Sequence, residues 1–160
     1  MSSAEFSGIY PMQYAFFDRG GGLDRAAMRR QVEAALAGAL NGALRVFNGR
    51  GGLELPDNLR AGCAGLIPAT DTFDFQVRVF ELMRSGRAQD EARAEAVYRE
   101  VLPAIVFAMQ SLDTLICYGK RLAALRLGLP EVHDRAPALA PTAFGLACVR
   151  RYAAALGSLA

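Results

Sequence analysis

Residues 43–69 read ALRVFNGRGGLELPDNLRAGCAGLIPA. Ala43 to Phe47 is a short apolar stretch interrupted only by Arg45, and Asn48-Gly49-Arg50-Gly51-Gly52 closes it with residues that cannot continue a strand. Leu53 to Ala61 has the pattern of a short helix. Gly62 to Ala69 is then a run of small and apolar residues that suits a strand buried on both faces. A strand, a Gly-rich loop, a helix and a second strand in this order predict a parallel pair, because parallel neighbours need a crossover between them.

Working outward, the pattern repeats on the N-terminal side and changes on the C-terminal side. Gly8 to Phe17 (GIYPMQYAFF) fits another strand, on which Tyr10 and Tyr14 share parity, and Asp18 to Gly22 reads as a loop. Asp24 is placed to cap a helix over Arg25 to Leu40, where Met28, Val32, Ala35, Leu36 and Leu40 recur at helical spacing. From Phe73 onward the texture is helical. Phe75, Val79, Phe80 and Met83 mark one helix ending near Gly86. Glu91 to Met109 forms a longer one with Ala94, Val97, Tyr98, Val101 and Leu102 inward and a kink expected at Pro103. Leu112 to Leu127 is closed by Gly128, Pro130 to Pro141 is a connection, and Thr142 caps a last helix through Leu146, Val149 and Tyr152 to Gly157.

The fold class expected is therefore α/β in connectivity and mostly helical in content: a small parallel sheet of about three strands with a C-terminal helical layer. Residues 1–160 are expected to form a single domain, with a β/α part over 1–72 and a helical part over 73–160. Right-handed crossovers, which prevail in about 98% of cases, predict the strand order first, second, third.

Composition narrows the function. At 160 residues and 52% apolar, the chain is long enough to bury a core without metal or disulfide staples. The net charge of +2, with arginines scattered among 16 acids, gives no electrostatic footprint for nucleic acid. No apolar run approaches the roughly 18 residues of a membrane span, and no secretory signal is readable at Met1 to Tyr10, so the expected location is the cytoplasm. Cys63, Cys117 and Cys148 are widely spaced among apolar neighbours and read as reduced core thiols; with His133 the single histidine, no metal site and no cofactor are expected.

Gly8-Ile9-Tyr10-Pro11, then Phe17-Asp18, then Gly21-Gly22-Leu23-Asp24 before a helix resemble the start of the dihydrodipicolinate synthase and N-acetylneuraminate lyase family. The resemblance resumes at Val46 to Pro56, runs through Gly65-Leu66-Ile67-Pro68, and takes in Pro103, Lys120 with Gly128, and Arg135, Pro137 and Pro141. It implies that these are the seventh strand, eighth strand and C-terminal helical extension of a (β/α)8 TIM barrel. Two departures stand out. Ala15-Phe16 occupies the place where the family has Thr-Pro before the Phe. The first helix is also followed almost at once by the seventh-strand motif, whereas a complete barrel takes roughly 250 residues. The resemblance thus implies a barrel fragment whose middle is missing, with a junction between about Ala37 and Arg45. In such a fragment the eighth strand could return to the first only if the helix Arg25 to Leu40 passed to another subunit.

The family forms an imine between a lysine and the carbonyl of pyruvate or a related 2-oxo acid, which requires a neutral amine. Its strand-six lysine falls in the missing middle, which implies an incomplete lyase. Lys120 is the chain's single lysine among 18 basic residues and hence a weak catalytic candidate; the resemblance gives it a structural place in a helix. Asn48, Gly49, Arg50 and Gly51 are the candidate site for an anion or substrate, since a Gly-rich turn offers backbone N–H groups and Arg50 a bidentate partner for a carboxylate. The same residues also suit an ordinary turn. His133 is expected to pair with Asp134, and Arg150-Arg151 to lie on the solvated side of the last helix. Three functions remain open: a family lyase without activity, a lyase or binding protein completed by oligomerisation, and a small interaction or anion-binding module. Exposed sheet edges and helix faces favour a homo-oligomer, a dimer first, with a small 2-oxo acid or carboxylate as ligand and neither nucleic acid nor membrane as partner.

Overall fold

The computed structural model describes residues 24–27, 29–30, 47–129 and 131–159. The chain divides into two units, 1–45 and 46–160. In the first, the Asp24 carboxylate accepts the backbone N–H of Ala27 at 2.9 Å, and residues 25–27 and 29–30 are helical, the arrangement of an N-cap. The expected strand Gly8 to Phe17 with Tyr10 and Tyr14, the rest of the helix to Leu40, and the junction at 37–45 lie outside the described residues.

In the second unit, β1 (Phe47–Asn48) leads through a tight turn to α1 (Leu55–Arg60) and β2 (Gly65–Leu66). Then follow α2 (Phe73–Arg84), α3 (Ala88–Ala108), α4 (Leu112–Arg126) and α5 (Ala143–Leu156). Among the described residues this is a mostly helical structure with one small sheet of two parallel strands, Phe47 opposite Gly65 and Asn48 opposite Leu66. Here β2 is shorter than the run Gly62 to Ala69, for a local reason. Gly62, at φ +92°, donates to the Leu59 carbonyl at 3.1 Å, and Cys63 donates to Asn58 at 2.9 Å, so both close the end of α1 in a Schellman turn. Pro68 has no N–H to give the ladder.

The helices follow their apolar spacing, with ends set by caps. In α3 the buried apolar positions are Ala94, Val97, Val101, Ala104, Ile105 and Ala108, a stripe that follows the helical repeat. Tyr98 and Leu102 are half-buried at its margin. The helix starts before Glu91 because the Arg87 carbonyl takes the N–H groups of Asp90 and Glu91, at 2.9 and 3.1 Å. Asp90, 1% exposed, receives Arg87 and Arg93 in that first turn. Pro103 stands on the exposed side of α3, which continues past it to Ala108. Gly128, at φ +67°, ends α4 in a second Schellman turn, with Leu129 donating to Ala124 at 2.9 Å and Gly128 to Leu125 at 3.1 Å. At the start of α5 the Thr142 hydroxyl accepts the N–H of Gly145 at 3.0 Å.

Two apolar clusters carry the packing. Leu55, Val79, Ala94 and Val97 join α1, α2 and α3, and Val101, Ile105, Leu122, Val149 and their neighbours join α3, α4 and α5. Cys117 and Cys148 are buried free thiols, as expected of core residues, whereas Cys63 is only half-buried. The largest fully buried side chain is polar. Arg126 donates to both oxygens of Asp74 at 2.9 and 2.7 Å and to the carbonyls of Asp71, Leu156 and Gly157 at 2.7, 3.3 and 2.8 Å. Its guanidinium also lies 5.5 Å from the centre of the Phe75 ring. One side chain thereby ties the start of α2 to the ends of α4 and α5.

Candidate functional site

In α/β architectures, ligand sites form beyond the carboxyl ends of the strands, and here that region begins at Asn48. Asn48 is 6% exposed, and its backbone carbonyl accepts the N–H of Ile67 at 3.1 Å. Its side-chain Oδ1 is buried without a hydrogen-bond partner. Beyond it the chain turns through Arg50, Gly51 and Gly52 at φ +51°, +63° and +84°, closed by Gly52 N–H to Gly49 at 3.0 Å. Left-handed backbone at a non-glycine residue is uncommon. Glycines at the next two positions let it continue without steric cost.

The structure gives Arg50 a partner of its own. Its guanidinium donates to Glu54 at 2.7 Å across one turn, both side chains in solvent at 69% and 43% exposure. The turn is held from beneath by Gln76, whose Nε2 donates to the Gly51 carbonyl and, at 3.2 Å, to the Thr72 hydroxyl. Gln76 is 3% exposed and its Oε1 is unpaired. The four residues Asn48, Gly49, Arg50 and Gly51 thus sit together in one turn, with the Arg50 charge directed along the surface to Glu54.

Sequence reasoning did not single out the polar residues that follow β2. Asp71 and Thr72 are 6% and 1% exposed. Burial raises the Asp71 carboxyl above the usual carboxylate range, against the lowering effect of backbone N–H groups at Asp71 and Thr72 and of the Arg126 charge. A Cβ on Gly119 would stand 3.2 Å from Asp71 Oδ2, so the glycine lets α4 approach this carboxyl closely. The sequence signal was available: Asp71-Thr72 lies between a strand and a helix, where capping residues and site residues both accumulate.

Lys120 lies in α4 with its amine engaged by two acceptors. Its ammonium forms an ion pair with Asp134 and donates to the His133 carbonyl at 2.9 Å. Arg121 pairs with the same carboxylate and donates to the Cys117 carbonyl at 2.7 Å. Hydrogen bonds from Arg121 and then Lys120 hold the Asp134 carboxyl at about 2, well below its ordinary value. The expected pair of His133 with Asp134 is therefore not formed. The basic side chains of α4 take Asp134, and His133 Nε2 instead meets Glu131 at 3.1 Å on the exposed surface. Arg150 and Arg151 are exposed as expected, with Arg151 4.9 Å from the centre of the Tyr152 ring.

Two of the surface depressions lie near these residues. One is a cleft of about 420 Å³ at the α1–α2 surface, bordered by Cys63, Phe80, Arg84 and Arg60. Arg60 is engaged there by Asp57, Glu91 and Glu95 at 2.6–2.8 Å. The other is a groove between α4 and α5 bordered by Leu125, Leu129, Val132, Leu146 and Arg150. Among the described residues no group of three His, Cys, Asp or Glu side chains is placed to hold a metal ion. No single helix among them is long and apolar enough to cross a membrane.

No protein-family model and no curated protein matches the chain. A solved structure does: a dihydrodipicolinate synthase from Rhodopseudomonas palustris, with a TM-score of 0.61 and 22% identity over 81% of this chain. The chain spans 40% of that protein's length. The likeness is one of fold, and it joins the small parallel sheet and helical layer described above to part of that synthase.

Proposed function

We propose that this chain is an internally deleted relative of the dihydrodipicolinate synthase and N-acetylneuraminate lyase barrels. In this reading it keeps their C-terminal framework and lacks their imine-forming chemistry. The observation that carries the reading is the engagement of Lys120, the one lysine in the sequence. Its amine directs hydrogens to Asp134 and to the His133 carbonyl, whereas imine formation needs an unengaged neutral amine facing the substrate carbonyl. Incubation with pyruvate and borohydride, followed by the intact mass and peptide mapping, tests it. The expected result is an unchanged mass, and a reduced adduct on Lys120 would overturn the reading.

A second reading, homo-oligomeric assembly with a dimer first, is favoured by large apolar side chains left in solvent, three of them by more than two thirds. Ile67, Leu112 and Phe144 are 70%, 70% and 77% exposed, and apolar surface of this kind marks contact regions when it is contiguous. Light scattering over a wide concentration range is expected to give twice the chain mass or more. A monomer at every concentration removes this reading and leaves the first untouched.

A further inference from the structure

We draw no further inference here: the strongest candidate, the groove between α4 and α5 bordered by Leu125, Leu129 and Leu146 with Arg150 on its rim, is an unpartnered apolar face, and nothing in the structure shows what covers it.

Discussion

Substituting Gly145 by Ala should destabilise the protein, although the same change in an open helix stabilises it by about 1 kcal/mol. Gly145 is buried in the first turn of α5 and has no room for a methyl group. A Cβ there would stand 2.4 Å from Cε1 and Cζ of Tyr118 and 2.5 Å from its hydroxyl. The ring cannot swing aside cheaply. It packs at 5.2 Å from the Phe107 centroid, and its oxygen accepts the Thr142 N–H at 3.1 Å at the cap of α5. Overpacking of this kind costs about 1–3 kcal/mol, and a displaced hydroxyl leaves the Thr142 N–H unpaired, adding about 1 kcal/mol. Set against the helical gain, the balance is a loss of about 2 kcal/mol, or a fall in Tm of about 4–8 °C for a chain of this size. Thermal and denaturant unfolding of the G145A protein measure it. The double variant Y118L/G145A should recover part of the loss by vacating the space. A G145A protein as stable as the parent or more so would refute the packing argument.

Two other substitutions probe the charged framework. Arg126→Met removes a buried guanidinium that serves five acceptors, and denaturant unfolding should show a loss of about 3 kcal/mol. This is the low end of the range for broken buried pairs, because Asp74 stays 37% exposed and water can reach it. Arg126→Lys should restore little, since an ammonium cannot reproduce the fork that grips both Asp74 oxygens. Asp134→Asn tests the clasp on α4. Because Asp134 titrates at about 2 in the folded chain, below its unfolded value, its contribution is fully present above about pH 4–5 and disappears as pH falls through 2. The stability gap between parent and variant should therefore narrow on acidification, and a gap as large at pH 2 as at neutral pH would remove the assigned role.

The features legible in the sequence are those with local causes. Asp24, Thr142 and Gly128 mark helix ends through hydrogen bonds within a few residues, and each acts where the pattern placed it. The strand Gly62 to Ala69 was only partly legible. Small residues suited to a buried strand serve equally well in a Schellman turn, and Gly62 and Cys63 belong to α1 in the structure. For His133 the nearest acid in sequence was the wrong partner. Asp134 faces α4, and the choice between Asp134 and Glu131 depends on a helix more than ten residues away. Arg126 escaped notice because scattered arginines read as solvent-facing. Its spacing of four from Leu122 was the available sign, since it puts the guanidinium on the buried stripe, but its acceptors at Asp71, Asp74 and Gly157 lie far off in sequence. The glycines mark the turn Asn48 to Gly51, while the salt link from Arg50 to Glu54 depends on the left-handed backbone at Arg50, Gly51 and Gly52, which composition does not reveal.

The wide turn at Leu115–Gly119 in α4 has π-helical hydrogen bonding, and this limits how the chain length can vary in evolution. Cys117, Tyr118 and Gly119 are buried in succession within it. The extra residue of a π turn lets the phase before it and the phase after it be set separately. Deleting one residue there would restore an ordinary helix, but it would rotate one half against the other by about 100°. Either Tyr118 would leave the cap of α5 or Arg126 would leave its five acceptors. Chains that keep both contacts are thus expected to keep the residue count of this segment, together with the Tyr118 hydroxyl and the small residue at 119.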